Sequence, residues 1–175
     1  MINDAVPLPP QAAERYETTR LLGEGGMGTV YLAQDKVLDR TVALKIVRLD
    51  RADRARDQRR FRREISLLAR VSNAHVVRLL DYEEHEDTLC YTMEYVEGAS
   101  LGDLAEDGSF SVDEAVGIAA QLADGVAAVH EAGVLHRDIK LDNMVITFDG
   151  SLKLVDFGLA ILDDEEVTRL TREGH

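Results

Sequence analysis

Positive charge is scarce in this chain: 20 of its 175 residues are lysine or arginine, against 33 aspartates and glutamates, for a formal charge of −13. Nucleic-acid phosphates need a net basic face, so no nucleic-acid partner is expected. The shortage does not exclude nucleotides, which one lysine and a metal can hold. Cysteine is nearly absent. Cys90 stands alone, so no disulfide can form within the chain, which suits a reducing, cytoplasmic setting. No apolar run approaches the roughly 18 residues of a membrane span. Met1 to Gln11 has neither the basic start nor the apolar stretch of a signal peptide. Proline is confined to Pro7, Pro9 and Pro10, and residues 1–15 read as a flexible leader. Apolar residues still make up 45%, enough for a core of one domain or one and a half.

Along the chain, residues 16–47 are strand-like. Tyr16 to Leu22 runs into a glycine cluster, Thr29 to Gln34 follows, and a charged turn at Asp35 to Arg40 leads to Thr41 to Val47. After an arginine-rich stretch, the spacing of Phe61, Ile65, Leu67, Leu68 and Val71 predicts an amphipathic helix of about 15 to 20 residues. Val76 to Tyr82 and Leu89 to Val96 flank the polar tip Glu83 to Thr88 as a hairpin. Gly98 breaks the texture. Ser111 and Glu114 form a capping-box signature for a long helix whose Ala/Val/Leu stripe continues to His130, stopped by Gly133. Asp149-Gly150 joins two short strands, Met144 to Thr147 and Leu152 to Val155. The order is α+β: a strand-rich first half with one helix, then a helical half with a small hairpin.

Gly23-Glu24-Gly25-Gly26-Met27-Gly28 matches G-x-G-x-x-G. In a dinucleotide-binding fold such glycines open a helix, but here β-prone Thr29 to Ala33 follows. That context favours a hairpin whose backbone amides can approach phosphate oxygens, because no Cβ intervenes; a plain surface turn is the alternative. Lys45 ends the apolar strand Val42-Ala43-Leu44. It is either an edge charge facing water or a point charge for phosphates, and the second role needs a carboxylate to hold its stem. Glu64, beside the apolar stripe of its helix, is the candidate; a solvated acid among arginines is the other reading.

His136-Arg137-Asp138-Ile139-Lys140-Leu141-Asp142-Asn143, followed by Asp156-Phe157-Gly158, interrupts an apolar environment at a spacing that no helix or strand face explains. The hairpin between them can return Asp156 to Asn143. A carboxylate and an amide oxygen are the hard ligands Mg²⁺ prefers, and Asp138 is then free to orient a hydroxyl. Unpaired buried charges without a task are strongly disfavoured.

These four motifs, in this order from about Tyr16 to the end, resemble the eukaryotic-type (Hanks-type) protein kinase family, and the segment Leu21 to Ala33 resembles its bacterial Ser/Thr members. The resemblance implies a protein kinase-like fold: a leader over 1–15, a complete N-lobe of antiparallel sheet plus one helix over 16–96, and the first part of a helical C-lobe over 97–175. It implies ATP and Mg²⁺ as cofactors. Gly23, Gly25 and Gly28 would cover the phosphates; Lys45, braced by Glu64, would hold two of them; Asp138 would be the catalytic base and Lys140 would steady the transferred group; Asn143 and Asp156 would bind the metal. Leu22, Val30, Ala43, Met93 and Val145 would line the adenine pocket, with backbone groups of Glu94 and Val96 reading the adenine edge. Leu68, His136 and Phe157 resemble an internal packing spine. Arg137 implies control by phosphorylation of the activation segment, with Thr168 and Thr171 as sites of self-association or autophosphorylation, or as plain loop polars. These roles belong to the family, whose members are the reference case for this kind of phosphoryl transfer.

Two departures stand out. Leu141 occupies a position where the family usually has proline, and the chain ends at His175 before the family's A-P-E motif. The sequence therefore reads as a catalytic domain cut within its activation segment, with the stripe of the Ser111–Ala132 helix left exposed. The function expected is transfer of the ATP γ-phosphoryl group to protein Ser/Thr hydroxyls, weak in isolation. The alternative is a truncated nucleotide-binding module that acts by docking to proteins.

Overall fold

A computed structural model describes residues 7–25, 28–49, 54–108 and 110–157. Five strands form the first sheet: β1 (Tyr16–Gly25), β2 (Gly28–Asp35), β3 (Arg40–Arg48), β4 (Leu79–His85) and β5 (Thr88–Glu94). All pairings are antiparallel, in the order β1-β2-β3-β5-β4. The middle strand, β3, is buried continuously from Val42 to Val47, as expected of a strand covered on both faces. Side chains alternate across a strand, and β3 divides accordingly. Val42, Leu44 and Ile46 join Ala33 and Cys90 in one core, whereas Ala43 and Val47 join Phe61, Ile65, Leu68, Tyr91 and Phe157 in another. Lys45 has the parity of the second face, which is where the site lies.

The predicted amphipathic helix is α2 (Arg54–Leu68). Phe61, Ile65 and Leu68 share a face and enter the second core, and Phe61 meets the Tyr91 ring at 5.9 Å between centroids. After Glu94 the chain changes sheets. β6 (Gly98–Ser100), β7 (Met144–Thr147) and β8 (Leu152–Leu154) form a three-stranded sheet in that order. A short helix, α3 (Leu101–Asp107), is capped by Ser100 Oγ, which accepts from the Asp103 N–H at 3.0 Å. The long helix α4 (Val112–Glu131) has the expected capping box at Ser111 and Glu114.

Two expectations change. The α4 stripe is not left bare along its length: Ile118, Leu122 and Val126 pack on Met144, Leu152 and Leu154 of the small sheet. Its start is open, with Val112 78% and Val116 62% exposed. Nor is the leader flexible throughout, because Pro10–Arg15 is a helix, α1. Proline at the first helical position costs no hydrogen bond, Ala12 is fully buried, and Arg15 fastens the helix to the sheet. Its guanidinium pairs with Asp35 at 2.9 Å and Asp81 at 2.7 Å and lies over the Tyr16 ring. Asp35 is fully buried, and the Arg15 contact, with help from the N–H groups of Val37 and Leu38, holds its carboxyl below the ordinary range despite burial.

Replacing Arg15 with alanine strands a buried carboxylate, so we expect Arg15→Ala to destabilise the fold by about 1–3 kcal/mol in urea unfolding. Because the folded pKa of Asp35 is depressed, its contribution is present above the ordinary carboxylate pKa and is lost as pH falls through the folded value. The gap between wild type and variant should therefore close in acid.

Candidate active site

A cleft of about 710 Å³ lies between the two sheets. Its roof comes from Leu22, Gly23, Gly25, Gly28 and Val30 on the β1–β2 hairpin, and its back from Ala43 and Lys45 on β3. Met93, Glu94 and Val96 form the side where the chain passes between sheets; Asp138, Lys140, Asn143, Val145 and Asp156 form the floor. Every site residue named from the sequence lines this one cleft except Glu64. Gly26, Met27, Gly158, Thr168 and Thr171 lie outside the described residues.

The floor is ordered by short-range polar contacts. The turn Leu141–Asn143 is a 3₁₀ helix leading directly into β7. Asn143 is buried, and its Nδ2 donates to the Asp138 backbone oxygen and to Asp138 Oδ2, both at 2.8 Å. Lys140 Nζ lies 3.2 Å from the same Oδ2. Burial alone would raise the Asp138 pKa, but the Lys140 and Asn143 hydrogen bonds outweigh it, and the carboxyl is held below its usual range. Asp138 is thus ionised at neutral pH. With Nδ2 committed, the free group on Asn143 is its Oδ1 acceptor.

Asp156 returns to this floor through the β7–β8 hairpin. The Val155 N–H donates to the Asn143 carbonyl at 2.9 Å, and Val155 in turn accepts from His136 Nε2 at 3.1 Å. The His136 ring packs against Phe157 at 4.6 Å between centroids. Burial lowers the His136 pKa, so the ring is neutral, with its proton on Nε2 and an Nδ1 that has no partner among the described residues. Leu68 and Phe157 share one core cluster. Arg137 and Asp156 both have positive φ, at 65° and 55°, a region that ordinary side chains seldom occupy.

The expected brace on Lys45 is replaced by a different pairing. Lys45, whose side chain is 3% exposed, forms its ion pair with Asp156. Glu64 pairs instead with Arg137, Nη1 to Oε1 at 2.7 Å. The physical reason is local supply. A buried ammonium requires a counter-charge, Asp156 provides it from the floor, and Glu64 lies on the half-exposed side of α2 within reach of a guanidinium.

The hinge-side residues are also more constrained than the sequence indicated. The Glu94 N–H donates to Arg78 O, and its carboxylate receives the Arg78 N–H and Lys153 Nζ. Sequence reading missed Arg20, Ser100, Asp103 and Asp142, which line the mouth of the cleft. Arg20 donates to the Tyr95 hydroxyl at 3.1 Å, tying β1 to the hinge. Ser100-x-x-Asp103 was readable as a helix-start signal; nothing marked Arg20.

Among the described residues, no group of three or more His, Cys, Asp or Glu gathers to hold a metal. Mg²⁺ does not need one, because it commonly takes one or two carboxylates and completes its shell with water and phosphate. Asn143 Oδ1 and the Asp156 carboxylate fit that requirement in type.

The profile of the protein kinase domain matches residues 16–173. The chain belongs to the protein kinase domain family. It is 41% identical over 151 residues to the serine/threonine-protein kinase pkn2 of Myxococcus xanthus, covering 85% of this chain and 18% of that protein. It is 40% identical over 147 residues to the serine/threonine-protein kinase PrkC of Bacillus subtilis, covering 83% and 23%. Among solved structures it resembles the Mycobacterium tuberculosis PknI kinase domain, solved as a point mutant, with TM-score 0.72, 32% identity, and coverage of 84% of this chain and 60% of that one. The chain thus spans about a fifth of these full-length relatives.

Within this kinase domain the roof glycines are not equivalent. Gly28 has φ +120°, and a Cβ there would sit 2.2 Å from the Ile46 carbonyl oxygen. Gly23 and Gly25 face open space. We expect Gly28→Ala to lower stability by roughly 1–3 kcal/mol. Gly23→Ala and Gly25→Ala should leave the unliganded melting temperature nearly unchanged and reduce its rise on adding Mg²⁺-ATP.

Proposed function

We propose that this chain carries the ATP site and catalytic loop of a serine/threonine protein kinase, which transfers the γ-phosphoryl group of Mg²⁺-ATP to a Ser or Thr hydroxyl of a protein. The observation that carries the reading is the convergence of Lys45, Asp138, Lys140, Asn143 and Asp156 on one cleft beneath a glycine hairpin, with Asp138 held ionised.

In this reading the apolar wall of Leu22, Val30, Ala43, Met93 and Val145 takes the adenine, and backbone groups at Glu94 and Val96 meet its polar edge. Gly23, Gly25 and Gly28 allow the roof to approach the phosphates without Cβ interference. Lys45 is a point charge for the phosphates. Asn143 and Asp156 hold Mg²⁺, which when bound offsets charge on the outer phosphates. Asp138 Oδ1, free of the Lys140 and Asn143 contacts that occupy Oδ2, is available to accept the acceptor's hydroxyl proton. Lys140, 3.2 Å from Asp138, would steady the transferred phosphoryl group. The dominant contributions are positioning and electrostatic complementarity. ATP chemistry and a lone buried thiol, Cys90, fit a cytoplasmic setting. Among the described residues no helix is long and apolar enough to cross a membrane. Thr168 and Thr171 are the candidates for self-phosphorylation.

One observation favours a second reading, a nucleotide-binding module that acts by docking: Lys45 is paired with Asp156 and Glu64 with Arg137, so the expected Lys45–Glu64 brace is not assembled. Thermal unfolding with Mg²⁺-ATP, run beside phosphate incorporation into the chain and a generic protein substrate, separates the two. A kinase should melt higher with Mg²⁺-ATP and incorporate phosphate, while Asp138→Asn keeps the thermal shift and loses incorporation by about 100-fold or more. Binding without incorporation supports the module. No shift in any magnesium buffer sinks both readings.

A further inference from the structure

One face of helix α2 concentrates positive charge. The helix carries six arginines and two acids, in a chain whose formal charge is −13. Neither acid offsets the outward side: Asp57 is buried, and Glu64 is paired with Arg137. Phe61, Ile65 and Leu68 face the core. Arg56, Arg59 and Arg63 recur at i, i+3 and i+7 on the opposite side, all exposed. Arg59 and Arg63 form no hydrogen bond or ion pair with any described residue.

A helix face that serves only solubility mixes charges of both signs at i, i+4 spacing. Here Arg59 and Arg63 are like charges one turn apart, and they repel. No lysine occurs between Lys45 and Lys140, so the charge of this face is entirely guanidinium. A guanidinium differs from an ammonium in offering a planar fork that fits a carboxylate with two parallel hydrogen bonds. The same helix already shows the contact: Arg62 holds Glu84 by Nε to Oε1 at 2.5 Å and Nη2 to Oε2 at 2.6 Å.

We propose that the outer face of α2, centred on Arg59 and Arg63, is a docking surface for an acidic peptide segment of a partner protein. Spacing favours an extended segment. Arg59 and Arg63 stand about 6 Å apart along the helix axis, and alternate side chains of an extended strand repeat at roughly 6–7 Å. Carboxylates at alternate positions therefore meet successive arginines. Charge favours a short segment. The chain as a whole is strongly acidic and repels a long polyanion or an anionic bilayer, whereas a few residues within a Debye length of about 8 Å feel mainly the arginines. Neither arginine lines the cleft, so the inference is independent of the kinase reading.

Fluorescence anisotropy of a labelled peptide of about six glutamates, titrated with the full chain, tests the surface. The wild type should bind, and more weakly as salt rises from about 0.05 to about 0.15 M. Arg59→Gln combined with Arg63→Gln should weaken binding about tenfold or more. Arg59→Lys with Arg63→Lys, which keeps the charge and removes the fork, should fall between, and it carries the test if the glutamine pair does not fold by melting curve. Arg78→Gln, a charge removed elsewhere, should change affinity less than about twofold. Absence of binding by the wild type overturns the surface, as does equal weakening by Arg78→Gln or equal binding of the matching glutamine peptide. Tighter binding of a single-stranded oligonucleotide or of phosphatidylglycerol vesicles, lost in the same double variant, assigns the face to nucleic acid or lipid and overturns the acidic peptide. If Asp163→Asn, Asp164→Asn, Glu165→Gln and Glu166→Gln together tighten peptide binding about tenfold, the chain's own acidic stretch is the occupant, in the same or a second copy, and the partner protein is overturned.

Discussion

The two halves of this molecule are hydrogen-bonded together at Leu154. Its N–H donates to the His75 carbonyl at 2.8 Å, and its carbonyl accepts from the Val77 N–H at 3.0 Å, a single parallel bridge between the segment after α2 and strand β8. Leu154 is fully buried, so neither bond can be exchanged for water without exposing unsatisfied backbone. The cleft depends on this stitch. Two residues later comes Asp156, set opposite Lys45 of the first sheet, and Val155 between them ties to Asn143 and His136. Asn73 and His75 reinforce the junction: Asn73 donates to Asp124 of α4 at 2.7 Å, and the His75 Nδ1 lies 3.0 Å from Leu152 O. The floor of the cleft is thus referenced to the first sheet through backbone hydrogen bonds.

Around that junction the charged residues divide into two kinds. Arg62 with Glu84, and Arg15 with Asp81, hold helices to strand edges near solvent, where an ion pair contributes modestly and mainly fixes orientation. In the cleft, Asp138, Lys140, Asn143, Asp156 and Lys45 satisfy one another in the unliganded protein. Burying such groups unpaired would cost far more than the fold can spare. Mutual pairing leaves each of these charges compensated.

Much of this was visible in the chain itself, and the reasons are local. The Asp149-Gly150 hairpin, the Ser111–Glu114 capping box and the alternation along β3 are fixed by neighbours within a few residues, so sequence spacing carries them. The cleft residues were readable because glycines, a lone lysine and the His136–Asn143 cluster contradict the apolar patterns around them. What escaped depended on distant partners. Pro9 and Pro10 read as a loose tail, although proline at a first helical turn is well tolerated, because nothing in the sequence announces that Arg15 will meet Asp35 and Asp81. The seven residues of α3 are too few to show a period. The sequence places Glu64 beside the apolar stripe of α2, but a helix face specifies a direction and not which of two cations lies there.

Arg137 and Asp156 hold left-handed backbone without being glycine, at a cost of order 1–2 kcal/mol each. Neither position is chosen by its own conformational preference; each is imposed by the packing of His136 on Phe157 and by the contacts of the side chain it presents. Glycine at either site would relax the main chain and erase the charge. Selection for thermal robustness alone would favour that exchange, so a guanidinium beside Asp138 and a carboxylate lining the cleft hold their places against the backbone's own preference.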